Sequence, residues 1–269
     1  MSFLGRYLRL YWALGRYGLA RELAFRGNFL VKLFVEVLWL FLLIAFYKTV
    51  FAKTSVIAEW SEDQYLFFLG CYFAMEGLIE TLFLSNCNEF ADLIRTGDLD
   101  FYLLKPIDEQ FLVTCRDIDW STAPNILMGA ALMGTALYQM DAAVSPERVL
   151  AFLILFTCGA ALAYSFLVLL TSAAVWFKRN QSLFEMWWLF TSLMRYPREI
   201  FAGKWARPMG FFFTFIIPIL IVVNVPAGIM VKVFDLWLIG FTVPVTVVLL
   251  WLSRKFFRFA LRQYRSASS

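Results

Sequence analysis

The chain has 269 residues, of which 61% are hydrophobic and 19% aromatic, with a net charge of +4 and no histidine. With a mean hydropathy of +0.70, this is too apolar for an ordinary soluble domain and reads as an all-α integral membrane protein, a bundle of about six spans at roughly 20 residues each. The lack of histidine, and of any C-x-x-C pair among Cys71, Cys87, Cys115 and Cys158, argues against catalytic triads, the common zinc sites and a disulfide framework.

Residues 1–28 place Phe3, Leu4, Tyr7, Leu8, Tyr11 and Leu14 near one helix face, with Arg6, Arg9 and Arg16 towards another. The spacing predicts a helix lying in the membrane interface. No short apolar core with a small-residue cleavage site occurs there, so a cleavable signal peptide is not expected. The first span is expected at 29–50 and the second at 65–85. Lys32 and Glu36, four apart, share a face in the first, and Glu76 and Glu80 do so in the second. Charges at such depth are costly. Two roles stay open for this cluster: internal compensation with Lys32 snorkelling, or a glutamate facing a cavity that selects a cationic substrate or couples a proton.

Between the second and third spans, residues 86–118 form a charged segment. "NEFADLIRTG" spaces Phe90, Leu93 and Ile94 as a short amphipathic helix stopped by Gly97. "DLDFYLLKP" then predicts a second short helix, with Asp98 as its N-cap and Pro106 as its end. This much apolar surface within a charged rim points to a partner, the alternative being packing onto the membrane face of the same protein.

Further spans are expected at 119–140, 149–177 and 233–253, with a tail at 254–269. Basic residues crowd both ends of the chain, ending in Arg254, Lys255, Arg258, Arg262 and Arg265. Both termini are therefore expected in the cytoplasm, and 86–118 and "KRNQ" at 178–181 with them. Region 182–230 admits two threadings. In one, an interfacial helix precedes a fifth span. In the other, the fifth span crosses outward to Tyr196 and Pro197, and a re-entrant segment follows, broken at Pro218 and Pro226.

The order of "IRTGDLDFYLLKPI" (94–107), "RYPREIF" (195–201) and "FTFIIPILIVVNVPAG" (213–228) resembles the integral membrane subunits of ATP-binding-cassette exporters of the type-2 permease class, in particular the viologen exporter-like bacterial branch. The resemblance implies a multi-pass permease of the bacterial cytoplasmic (inner) membrane, paired with an identical or related second permease and with two copies of a separate ATPase subunit. It implies that 94–106 is the ATPase-coupling element, with Arg95, Gly97, Leu99, Asp100, Leu103, Leu104 and Pro106 carrying the pattern and Ile94, Asp98 and Lys105 completing it. It favours the re-entrant threading, with Tyr196, Pro197, Pro218, Asn224 and Pro226 as a gate motif, although this leaves Arg198, Lys204 and Arg207 outside.

The chain has no G-x-x-x-x-G-K-[ST] phosphate loop, and its only Gly-Lys, Gly203-Lys204, runs into Trp205. ATP and Mg are thus expected on the partner ATPase, with no cofactor on this chain, no enzymatic role and no nucleic-acid partner. Lipid is the remaining partner. An ion-gradient-driven transporter or channel, and an intramembrane carboxylate enzyme using Glu76, Glu80 or Asp92, are the alternatives.

Overall fold

The computed structural model describes residues 3–141, 144–177, 181–232 and 236–264. Residues 178–180 of the basic "KRNQ", the first residues of the expected last span (233–235) and the tail from Arg265 lie outside them. Helices α1 (Phe3–Ala24) and α2 (Arg26–Phe51) meet at Phe25, whose backbone leaves the helical region. A two-stranded hairpin follows, β1 (Val56–Ile57) against β2 (Trp60–Ser61), turned by Ala58 and Glu59. Both have positive φ, 48° and 66°, as a two-residue hairpin loop requires. Ser61 opens α3 (Glu62–Ile79) with a capping box, exchanging bonds with Gln64.

The expected boundary at residue 85 is not a break. A π-helical turn, Glu80–Leu84, joins α3 to α4 (Ser85–Thr96), and Glu62–Thr96 is one rod of 35 residues. No Gly or Pro between Leu78 and Thr96 interrupts it. At 1.5 Å per residue it is roughly 52 Å long, against about 30 Å of hydrocarbon. Its final turns therefore extend beyond the apolar layer. Gly97, at φ 82°, ends the rod in the left-handed region. Two short helices follow, α5 (Leu99–Leu103) and α6 (Glu109–Cys115).

Residues 116–123 are strapped to the rod. The Asn86 amide exchanges bonds of 2.8 and 2.9 Å with the Asp117 backbone. The Asp119 N–H donates to the Thr81 carbonyl at 2.9 Å. The next helix, α7 (Pro124–Gln139), therefore starts only at a proline well suited to a first helical turn, inside the expected 119–140. It packs tightly on α3: a Cβ on Gly129 would stand 2.5 Å from both the Gly70 carbonyl oxygen and the Ala74 nitrogen. Small residues let two backbones approach this closely.

Helix α8 (Pro146–Phe177) packs along α12 (Leu236–Gln263). Between them in sequence come α9 (Gln181–Met194), a 3-10 turn (Arg198–Ala202), α10 (Arg207–Phe211) with a π-helical turn (Phe212–Ile216), and α11 (Leu220–Val231). The last pair bends by 90° around Pro218. Both of its ends meet the same 3-10 turn. Gly210 abuts Phe201, and Lys232, just past α11, reaches Glu199 at 3.8 Å. The pair thus enters and leaves from one end of the bundle.

Pro226, expected as a break, lies inside unbroken α11. The carbonyl it leaves without an intrahelical donor is that of Val222, four residues back. That oxygen faces Gly159 of α8, where a Cβ would stand 2.4 Å away. The helix survives because its deprived carbonyl is turned into a glycine notch.

Among the described residues, α2, the 62–96 rod, α8 and α12 are long and apolar enough to cross a membrane alone, with a fifth crossing if the bent pair counts as one. Helices α7 and α9, with 16 and 14 residues, are shorter than the six-span expectation assumed.

Candidate functional site

The segment expected to couple, 94–106, is built from the inside out. Phe90, Leu93 and Ile94 of α4 share a buried cluster with Leu99, Val113 of α6 and Phe257 of α12. Leu99 is 0% exposed. It is a core residue, and of the expected coupling residues Ile94 is buried likewise. Leu103 is half-buried, whereas Leu104 is 82% exposed, with Lys105 and Pro106 beside it. Phe101, which the sequence pattern does not single out, is 68% exposed. The outward surface is thus Phe101, Leu104, Lys105 and Pro106, next to Arg95, whose guanidinium bonds Asp92 at 3.1 Å. Asp98 does not cap α5. Its carboxylate accepts instead from the Thr96 hydroxyl at 2.7 Å, and its own backbone is helical. Asp100 is partly buried on α5.

Two helices hold this segment from behind. From α1, Arg6 donates to the Pro106 carbonyl and Tyr7 accepts from the Asp108 N–H at 3.0 Å. The Tyr7 ring meets Phe111 edge-on at 5.1 Å, and Trp120 donates to the Gly15 carbonyl at 2.9 Å. From α12, Arg254 grips both oxygens of Asp108 and also donates to the Gln110 side chain at 2.9 Å. Burial pushes the Asp108 carboxyl upward, but the Arg254 and Phe111 N–H bonds outweigh it and leave Asp108 below its usual range.

The charges expected within the first two spans split into two sets. Lys32 turns to Ser121, at 3.0 Å, and Asp119, at 3.6 Å. Glu36, one turn on, accepts from the Asn125 amide at 2.9 Å. Glu76 and Glu80 lie within electrostatic reach of Glu36 and of each other. Neither forms an ion pair among the described residues. Asn125 arrives at this depth because Gly77 lets α7 press against α3: a Cβ on Gly77 would stand 2.7 Å from that of Asn125.

Below Lys32 opens a cleft of about 380 Å³ between α1, α2 and the strap. Glu22, Glu89, Asp117 and Asp119 line it with Arg21, Lys32, Phe25 and Phe29. Glu22 accepts from the Trp120 N–H at 2.9 Å. Burial first, and then the neighbouring Asp119 charge, push the Glu22 carboxyl up to about 7.

At the opposite end, Asn224 holds the expected gate motif together. Its carbonyl oxygen accepts from the Arg198 N–H at 2.8 Å, and its amide donates to the Leu220 carbonyl at 2.6 Å and the Tyr196 carbonyl at 3.4 Å. Pro197 starts the 3-10 turn. Trp60 donates to Glu199 at 3.0 Å, and Lys232 lies over the Trp60 ring at 4.3 Å. Pro218 forms one wall of an apolar pocket with Phe166, Trp187, Phe190 and Leu249.

Glu22, Asp119, Asn125 and the Trp60–Glu199–Lys232 group escape reading along the chain because their partners are distant in sequence. A polar "DWSTAPN" (119–125) opening an apolar helix is the one local signal for Asp119 and Asn125. No cluster of three or more acidic or cysteine side chains among the described residues is placed to hold a metal ion.

A family model described as ABC-2 family transporter protein matches residues 37–268. No curated protein and no solved structure matches the chain.

Proposed function

The chain belongs to the ABC-2 transporter family, and from that premise we propose that it is the membrane-spanning permease subunit of an ATP-driven exporter, forming the translocation path and driven by a separate ATPase chain. The observation that carries the coupling role is the exposed tip of Phe101, Leu104, Lys105 and Pro106 on a segment fixed from behind by α1 and α12. A loose loop would absorb the motion of a partner. This mount transmits it, because the 62–96 rod carries a push at α5 straight into the bundle.

In this reading the tip seats in a groove on the ATPase, two copies of which serve a pair of permeases, identical or related. The membrane is the bacterial cytoplasmic membrane, with both chain ends inside, and the resemblance of the motif at 94–107 supports the viologen exporter-like branch. The bent pair α10–α11 is then a re-entrant element at the outer end, with the Trp60–Glu199–Lys232 contacts closing the bundle there. The long apolar face of α2, including Phe34, Leu38, Phe41 and Leu42, faces lipid or the second permease.

The test uses the full-length chain purified with the ATPase subunit that accompanies it. Phe101→Asp with Leu104→Asp is expected to abolish co-purification while the permease keeps its detergent elution volume and melting temperature. Retained association and retained stimulation of ATP hydrolysis would sink the coupling role. Leu99→Asp is uninformative about docking, since Leu99 supports the core.

A further inference from the structure

We infer that the cleft between the 3-10 turn (Arg198–Ala202) and α10 binds an anionic phospholipid, with Arg198 and Arg207 on its phosphate and the neighbouring aromatic surface against its acyl chains. This goes beyond the exporter reading and does not depend on it.

The cleft measures about 430 Å³ and combines the two arginines with Phe201, Phe211 and Phe215. Gly210 shapes it by bringing α10 against the turn: a Cβ there would stand 2.8 Å from that of Phe201. Among the described residues that line it, Glu199 is the one carboxylate. That charge is already engaged, with Lys232 at 3.8 Å and the Trp60 indole at 3.0 Å. No Asp or Glu occurs from residue 200 to 234, a stretch that holds Lys204, Arg207 and Lys232. The nearby acids Glu59, Glu62 and Asp63 belong to the hairpin and the first turn of α3 and are not on the cleft wall. The cleft therefore presents a positive excess and fits an anion.

The surroundings narrow that anion to a lipid. The Gly203 carbonyl accepts from both the Ala206 and the Arg207 N–H at 2.9 Å, so Lys204 and Trp205 stand at the tip of an ordered turn. Trp205 is 94% exposed, and Ile200, Met209 and Phe211 are exposed beside it. Such an apolar rim is costly in water but suits the headgroup layer of a membrane, where tryptophan is enriched. The cleft also lies level with the start of α3, because Trp60, just before that helix, bonds Glu199. A soluble phosphate would satisfy the arginines and leave the aromatic rim bare. A zwitterionic lipid carries its own cation beside the phosphate and leaves the positive excess unmatched. An anionic phospholipid meets both needs, since guanidinium groups pair directly with phosphate oxygens and acyl chains cover the rings.

The experiment is native mass spectrometry of the full-length chain, released from detergent micelles after titration with phosphatidylglycerol or with phosphatidylcholine of the same acyl chains. A saturable phosphatidylglycerol adduct is expected, with phosphatidylcholine bound more weakly. Arg207→Gln, at an exposed position that the fold does not need, should weaken the phosphatidylglycerol adduct roughly fivefold, the scale of one basic side chain at a charged membrane surface. Adding Arg198→Gln should abolish the preference between the two lipids. Arg9→Gln with Arg16→Gln, on exposed positions of α1, should leave the adduct unchanged. Hydrogen exchange supplies a local reading, and should be slower at 198–211 in phosphatidylglycerol nanodiscs than in phosphatidylcholine nanodiscs. Equal binding of the two lipids, an adduct that survives Arg207→Gln but falls with the α1 variants, exchange at 198–211 indifferent to the lipid, or displacement of the lipid by millimolar inorganic phosphate each overturns the site.

Discussion

Gly159 and Pro226 show how a residue acquires meaning only from its counterpart. The proline strips one carbonyl of its donor, and the glycine supplies the space that the carbonyl then occupies. Gly159→Val should overfill that space, at a cost of about 1–3 kcal/mol, read as a lower melting temperature in detergent. Pro226→Ala should leave the fold intact. Glu22 is a second residue with a sharp expectation. Its folded carboxyl, raised from 4.5 to about 7, keeps a proton that the unfolded chain releases. Its contribution is therefore full below about pH 4.5 and is lost as pH rises through 7. Glu22→Gln should flatten that part of the melting-temperature profile between these values. A profile unchanged by the substitution would show that Glu22 is ionised in the folded chain. Neither residue advertises its role in the sequence, because each depends on a partner on another helix.

At the level of elements, the 62–96 rod is the feature with most consequence. Asn88→Pro would place a kink in its exit from the apolar layer. The expected result is a permease that still binds its ATPase but no longer shows substrate-stimulated hydrolysis; normal stimulation would mean that the rod is not the lever. The sequence shows part of this. Apolar runs mark the long helices, Gly97 stops a helix as its permissive backbone predicts, and Pro106 lies just past the end of the next. The continuity of the rod is hidden, because hydropathy falls where a helix leaves lipid even though the helix goes on. The outward face of α5 is hidden as well. Leu99 and Phe101 have similar apolar character, and only the distant Val113 and Phe257 determine that Leu99 is the one covered.

Across the whole molecule, the first and last helices converge on the segment proposed to couple, so both are tied to one surface. Asp108 joins them, accepted by Tyr7 on one side and gripped by Arg254 on the other. Its lowered carboxyl means that this grip is present above the ordinary carboxylate range and is lost as pH falls through the lowered value. Arg254→Gln should free α12 from the segment, read as faster hydrogen exchange at 106–112, with α3 and α7 unaffected. Unchanged exchange would show that α1 alone secures the segment. This convergence could not be foreseen from the amphipathic pattern of 1–28. That pattern predicts a membrane surface, whereas Gly15 and Gly18 of α1 press against Ile118 of the strap.

The pairing of Lys32 with Ser121 and of Glu36 with Asn125 also imposes a schedule on synthesis. Each pair spans 89 positions, so at 5–20 residues per second the ribosome takes roughly 5–20 s to deliver the second member. Until then the first membrane helix holds a lysine and a glutamate with no settled neighbours. Nascent chains arrested before residue 119 should accordingly leave that helix extractable from the membrane or cleavable by protease, and chains arrested well past α7 should not.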